Sequence, residues 1–482
     1  MKKYKFLNIK TTGIYLCILI LFASCKKQLD INVDPNNPPK VPVTALLPSA
    51  QVNLAYSIGG DASRYGGSFI QYYAGHRAQP LEYAQYDFTP STSDTFWSNM
   101  FSGVLQDLKE VELVAGQDGN TAYVGISNIL TAYSYSILTD MYGDIPFSEA
   151  LGGIEKINPK YEKQEDIYPK LFVLIDKGIA EIKKNGGSIK PEADDLIFNG
   201  DLVKWEKFAN ALKLRLYNHL SQVQPNAAAN FLNTNPLLPV GNADNAVVIF
   251  GNTPATANPV HQFDELSGRK DNAIAKTLID KMVSLSDPRI PIFFFPVKND
   301  GAGLQGKYLG NEAGIDNDDA GENNFSRTGA FYASINSPVV LLSNSEVNFI
   351  KAEIQQKAGN LVAAKLSYDS AISNDFEFLG LTVANATTYL SQPQITFDNS
   401  LSRIMNQKWI TMFQAPYEGW VDWRRTGFPV LVPAKENRTN GIIPLRIPYP
   451  QLEINLNRAS LEAGPGVPVP YDAMKIPLWW DK

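Results

Sequence analysis

Cysteine is almost missing: the 482-residue chain has two, Cys17 and Cys25. That excludes a disulfide framework, and three scattered histidines (His76, His219, His261) argue against a zinc centre. A basic excess is missing too, with 43 Lys and Arg against 49 Asp and Glu, a net charge of −6. Such a chain repels phosphate backbones, so nucleic acid is not an expected partner. No apolar run reaches the roughly 20 residues that span a bilayer. No nucleophile elbow, phosphate loop or metal-spaced ligand cluster marks a catalytic centre, and no cofactor or metal is expected. Length alone would suggest two or three domains, but no Ser/Gly/Pro linker divides the chain.

What is present starts at the N-terminus. Lys2, Lys3, Lys5 and Lys10 precede an apolar run of 11 residues, 13–23, and then Ala23-Ser24-Cys25. Cys17 would leave with that run, so the mature chain has one thiol, at its new N-terminus. This resembles a bacterial lipoprotein signal, which implies a lipid on Cys25, and it fits better than plain secretion. Removing residues 1–24 takes four lysines and no acid, leaving 39 basic and 49 acidic side chains, −10. Residues 25–43, containing Asp34-Pro35-Asn36-Asn37-Pro38-Pro39, read as an extended tether, and 44–482 as the folded body.

Helical periodicity dominates that body. Ile126, Ile129, Leu130, Tyr133, Ile137 and Met141 form one stripe and Ala132, Tyr135, Leu138 and Tyr142 a second, predicting a helix with neighbours on both sides. Gly143 and Pro146 end it. Further stripes run from Trp97 to Val111, Ile167 to Ile182 and Trp205 to Leu220, the last capped by Asp201 with Lys204, Lys207, Lys213 and Arg215 on a solvated face. Residues 236–262 and 287–337 are Asn-, Asp-, Gly- and Pro-rich, predicting loops with a few short strands. Ser343 and Glu346 suggest a capping box, and Gly359, Ala364, Tyr368 and Ala371 match the second half of a tetratricopeptide repeat. The expected fold is mostly α: a tetratricopeptide-like scaffold of helical hairpins with an inserted loop-rich region.

In this order the pieces resemble the SusD/RagB family of nutrient-binding outer-membrane lipoproteins. The resemblance rests on residues 140–151 (Asp-Met-Tyr-Gly-Asp-Ile-Pro-Phe-Ser-Glu-Ala-Leu), Lys204-Trp205, Ser286-Asp287-Pro288-Arg289-Ile290, Asn406-Gln407-Lys408-Trp409, Trp420-Val421-Asp422-Trp423-Arg424-Arg425 and Pro444-Leu445-Arg446-Ile447-Pro448. It covers nearly the whole chain. It implies a cell-surface protein, lipid-anchored in the outer membrane, that captures oligosaccharides for a SusC-like TonB-dependent transporter. A peptide-capturing RagB-like lid is the alternative, with a glycoside hydrolase or a protein-binding helical scaffold further behind.

Ligand-binding candidates come from aromatic density. Residues 72–97 hold seven aromatics where the chain's 11% would give about three. Flat rings cover the apolar faces of a sugar, and Asn, Asp and Arg bond its hydroxyls. Arg77, Tyr83, Tyr86 and Asp87 on a predicted loop supply that mixture, and Trp97 reads as core. Phe325, Arg327, Phe331 and Tyr332 form a second group, and the two loops are expected to meet on one face. Asp300, Asp316, Asn317, Asp318, Asp319 and Glu322 lack calcium-loop spacing and read as a solvated acidic loop.

Overall fold

Stripes spaced by three and four residues become helices that pack in antiparallel pairs. The computed structural model describes residues 41–299, 303–317 and 322–481, and residues 43–482 form one unit. The predicted signal, Cys25 and nearly all of the tether lie outside the described residues.

Helix α1 (Val43–Ser57) runs through a wider turn, Ile58–Ala62, into α2 (Ser63–Phe69), and α3 (Ala78–Ala84) follows. Helix α4 (Gln106–Gln117) folds back on α5 (Thr121–Tyr142), which packs on α6 (Gln164–Lys184), and α6 on α7 (Leu202–His219). From Ala122 to Tyr142 every residue of α5 except Thr131 is buried, the doubled stripe made physical. Its approach to α6 is set by two glycines. A Cβ on Gly178 would lie 2.6 Å from Ile129 Cγ1 and 2.8 Å from the Gly125 carbonyl oxygen.

After a short helix, α8 (Lys276–Ser284), come α9 (Asn344–Lys357) and α10 (Leu361–Phe378), joined by Gly359 at φ +76°. Ala364, Tyr368 and Ala371 are buried against α9, as the repeat-like spacing predicts. Helices α11 (Leu401–Thr411) and α12 (Pro416–Thr426) close the stack.

Strands are few. Ile145–Pro146 (β1) pairs with Tyr161–Glu162 (β2), Ala246–Ile249 (β3) with Pro338–Leu342 (β6), and Phe294–Phe295 (β4) with Arg327–Thr328 (β5), all antiparallel. The chain is mostly helical, as expected.

Three local expectations need correcting. The Ser343 hydroxyl accepts from the Glu346 amide at 3.2 Å, but the Glu346 carboxylate does not complete the box. It takes two bonds of 2.6 Å from Arg215. Arg215 therefore belongs to the core, not to a solvated face, since a buried carboxylate needs a buried cation. Its former companions stay near the surface, with Lys207 on Asp244 (2.9 Å) and Lys213 on Asp176 (2.6 Å). The third correction is α3, which puts a helix where a loop was expected.

Candidate functional site

A cleft of about 510 Å³ opens in the loop-rich region, built by a strand pair with its flanks, a helical turn with the residues after it, and residues 333–335. Strands β4 and β5 pair in register, Phe294 with Thr328 and Phe295 with Arg327. Side chains alternate across a strand, so Phe294 and Thr328 enter the core while Phe295, 40% exposed, and Arg327 face the cleft. Asn323, in a helical turn (Glu322–Asn324), and Phe325 also line the cleft wall, while Ser326 is buried.

The second segment is a helical turn, Pro259–His261 continuing as Gln262–Leu266, within a stretch expected to be loop up to residue 262. Asn258 caps it, accepting from the amides of Val260 (2.8 Å) and His261 (3.3 Å), and Pro259 pre-sets its first residue. This presents His261 and Glu265 to the cleft. His261 Nδ1 donates to the Ala333 carbonyl at 2.9 Å, leaving Nε2 as the ring's other polar atom. Lys270 and Lys298 complete the polar lining. Two other hollows, about 410 and 480 Å³, have no aromatic ring in their walls.

Of the sequence candidates, Arg327 lines this cleft, with its neighbour Phe325. The other named residues do not. Tyr83 is 3% exposed, edge-on to Tyr65 (5.2 Å) and tilted on Phe88 (5.0 Å). Tyr86 is fully buried and its hydroxyl accepts from the Ala434 amide at 3.1 Å. Tyr332 packs edge-on to Phe293 (5.5 Å) and Phe413 (5.4 Å). Rings covered on both faces have none left for a ligand, so these three tyrosines are core. Phe331 is half-buried against Tyr332 and Phe378. Asp87 accepts from Tyr471 (2.6 Å) and Arg438 (3.2 Å), and Arg77 sits half-buried ahead of α3. Trp97 is buried, as read.

The two loops touch where His76 meets Phe325. His76 stacks 5.5 Å from Phe325, its Nε2 donating to the Lys270 carbonyl (3.2 Å), and Gln79 Oε1 accepts from Arg269 at 3.3 Å.

Charges are layered behind the cleft. Glu265 lies 2.7 Å from Lys270 and 2.9 Å from Arg327. Beneath them Asp264 is 3% exposed, 4.0 Å from Arg327, with one carboxylate oxygen unpaired. Burial raises its pKa to about 7, with Glu265 and Asp271 adding to the rise and Arg327 and Arg64 offsetting part of it. That value lies above the ordinary ~3.9, so the folded chain keeps a proton that the unfolded chain gives up above about pH 4; the cost to the fold is absent below about pH 4 and complete above about pH 7. Asp264→Asn should raise the melting temperature by a few degrees at about pH 8 and leave it unchanged near pH 4. A melting curve at the higher pH that is equal or lower contradicts this.

Among the described residues no three His, Cys, Asp or Glu side chains group as a metal would require, and no helix is long and apolar enough to cross a membrane. Of the acidic loop, Asp300, Asp318 and Asp319 lie outside the described residues. The Asn317 side chain donates to Asn311 at 2.5 Å.

The sequence matches, over residues 35–450, a SusD-like family model described as "Starch-binding associating with outer membrane". Similar solved structures include a SusD homolog from Bacteroides uniformis, 26% identical at a TM-score of 0.76, covering 91% of this chain and 99% of the other. A chitin-binding protein is 24% identical at 0.77, covering 92% and 100%. A chitin-binding SusD homolog from Flavobacterium johnsoniae is 21% identical at 0.76, covering 91% and 98%. The last two likenesses show the fold alone. No curated protein matches the chain.

Proposed function

Since the chain belongs to the SusD-like family, described as starch-binding and associating with the outer membrane, we propose that it captures oligosaccharides and passes them to a SusC-like TonB-dependent transporter. In this reading a lipid on Cys25 holds the helical body at the outer membrane, facing the exterior.

The observation that carries it is the cleft. Phe295 and Phe325 offer ring faces to the C–H surfaces of sugars, while His261, Asn323, Glu265, Lys270 and Arg327 bring donors and acceptors for hydroxyls. The family description, starch-binding, supports a glycan over a peptide. Glu265 is the one carboxylate on the described walls of the cleft, and it is already shared by two cations. Cutting a glycosidic bond ordinarily takes two carboxyl groups about 5–10 Å apart, which favours capture over hydrolysis.

Purified protein incubated with a panel of neutral and acidic oligosaccharides should be retarded by at least one in affinity gels, with no new reducing ends. Release of reducing sugar, or retention by no glycan, overturns the reading.

A further inference from the structure

Resting on the glycan-capture reading, we propose that the cleft selects acidic oligosaccharides, whose pyranose rings carry carboxylate or sulfate groups. Three cations, Lys270, Lys298 and Arg327, line it against the single carboxylate of Glu265. Glu265 is divided between Lys270 and Arg327. Lys298 is exposed and, among the described residues, has no acidic partner.

The layer behind adds little compensating charge. Arg64 pairs with Asp61, and Arg269 with Asp271 at 3.0 Å. Asp264, held near neutrality by burial, supplies only part of one negative charge. The described lining of the cleft is therefore net positive in a chain whose overall charge is −6. An excess of that sign does not follow from composition; it is local.

Position matters as much as count. Arg327 is the cross-strand partner of Phe295. Val297 turns into the core, and Lys298 turns back out three residues beyond Phe295. A pyranose lying on Phe295 has Arg327 and Lys298 in the same cleft to meet an exocyclic anion. Charge-assisted hydrogen bonds there are about twice as strong as those to a neutral hydroxyl.

Calorimetric titration of the protein would use oligogalacturonate (carboxylate only), carrageenan oligosaccharides (sulfate only), chitohexaose and maltooligosaccharides (neutral), and an oligoglutamate peptide. The expected result is binding of at least one acidic sugar at least about tenfold tighter than either neutral one, weakening roughly tenfold between about 0.05 and 0.5 M salt. Lys298→Gln should lower that affinity about five- to tenfold, a larger factor than any change in neutral-sugar binding. The two acidic arms tell carboxylate from sulfate, and either supports the proposal. Neutral sugars binding as tightly as acidic ones, or a Lys298→Gln loss equal for both, overturns it while leaving glycan capture standing. Binding of oligoglutamate alone, or of no sugar at all, overturns both.

Discussion

Arg289→Met is expected to cost the fold roughly 3–5 kcal/mol, read as a lower midpoint in urea. Arg289 is fully buried and donates to Asp287 (2.6 Å), Asp375 (2.7 Å), Thr411 (3.1 Å) and Gln407 (3.3 Å). Its guanidinium also lies 5.2 Å from the centre of the Phe376 ring. Methionine fills much of the volume but leaves two carboxylates, both with 0% side-chain exposure, facing each other without a cation. Removing one member of a buried ionic set costs more than replacing the whole set by neutral groups. Adding Asp287→Asn and Asp375→Asn should therefore recover most of the loss. A single variant within about 1 kcal/mol of wild type contradicts this account of the network. The consequence reaches the cleft, because Arg289 ties the chain entering Phe294–Phe295 to helices α10 and α11.

Gly178→Ala is the second large effect, and its sign opposes helix propensity. In a free helix the change would gain about 1 kcal/mol. Here the new methyl would sit 2.6 Å from Ile129 and 2.8 Å from the Gly125 carbonyl, and a backbone oxygen on α5 cannot rotate away. The helices must part along their tightest contact, at a loss of roughly 1–3 kcal/mol. Gly116, near the end of α4, is exposed and would have nothing within 4 Å of an added methyl, so Gly116→Ala should stabilise slightly. If both glycines respond alike, packing of α5 on α6 is not what fixes this part of the fold.

These two sites show what the sequence made legible. The stripes of α5, α6 and α10 stood out because repeated apolar residues share a face whatever they pack against. Arg215 was misplaced because charge type outweighed position. It follows Leu212 by three and Ala211 by four, on the inward face, but its partner Glu346 is 131 residues away. Tyr83 and Tyr86 failed for the converse reason. Dense aromatics serve a core or a ligand platform equally, and only their neighbours, Tyr65 and Phe88 among them, decide which.

The cleft was half legible. Phe325 and Arg327 could be picked from an irregular, aromatic-bearing stretch. Phe295, His261, Glu265 and Lys270 could not, since the β4–β5 pairing and the Asn258-capped turn bring them together from separate segments. Asn323 reaches the same wall from a short helical turn, Glu322–Asn324, which a strand pattern would not have shown.

The central claim is that paired phenyl faces in this cleft hold a sugar. Titrating the Phe295→Ala/Phe325→Ala variant with the oligosaccharide that wild type binds best tests it most directly. The account predicts at least about a hundredfold loss of affinity, roughly 3 kcal/mol, in a variant that still unfolds cooperatively. Affinity equal to wild type would contradict it and place the ligand elsewhere on the molecule.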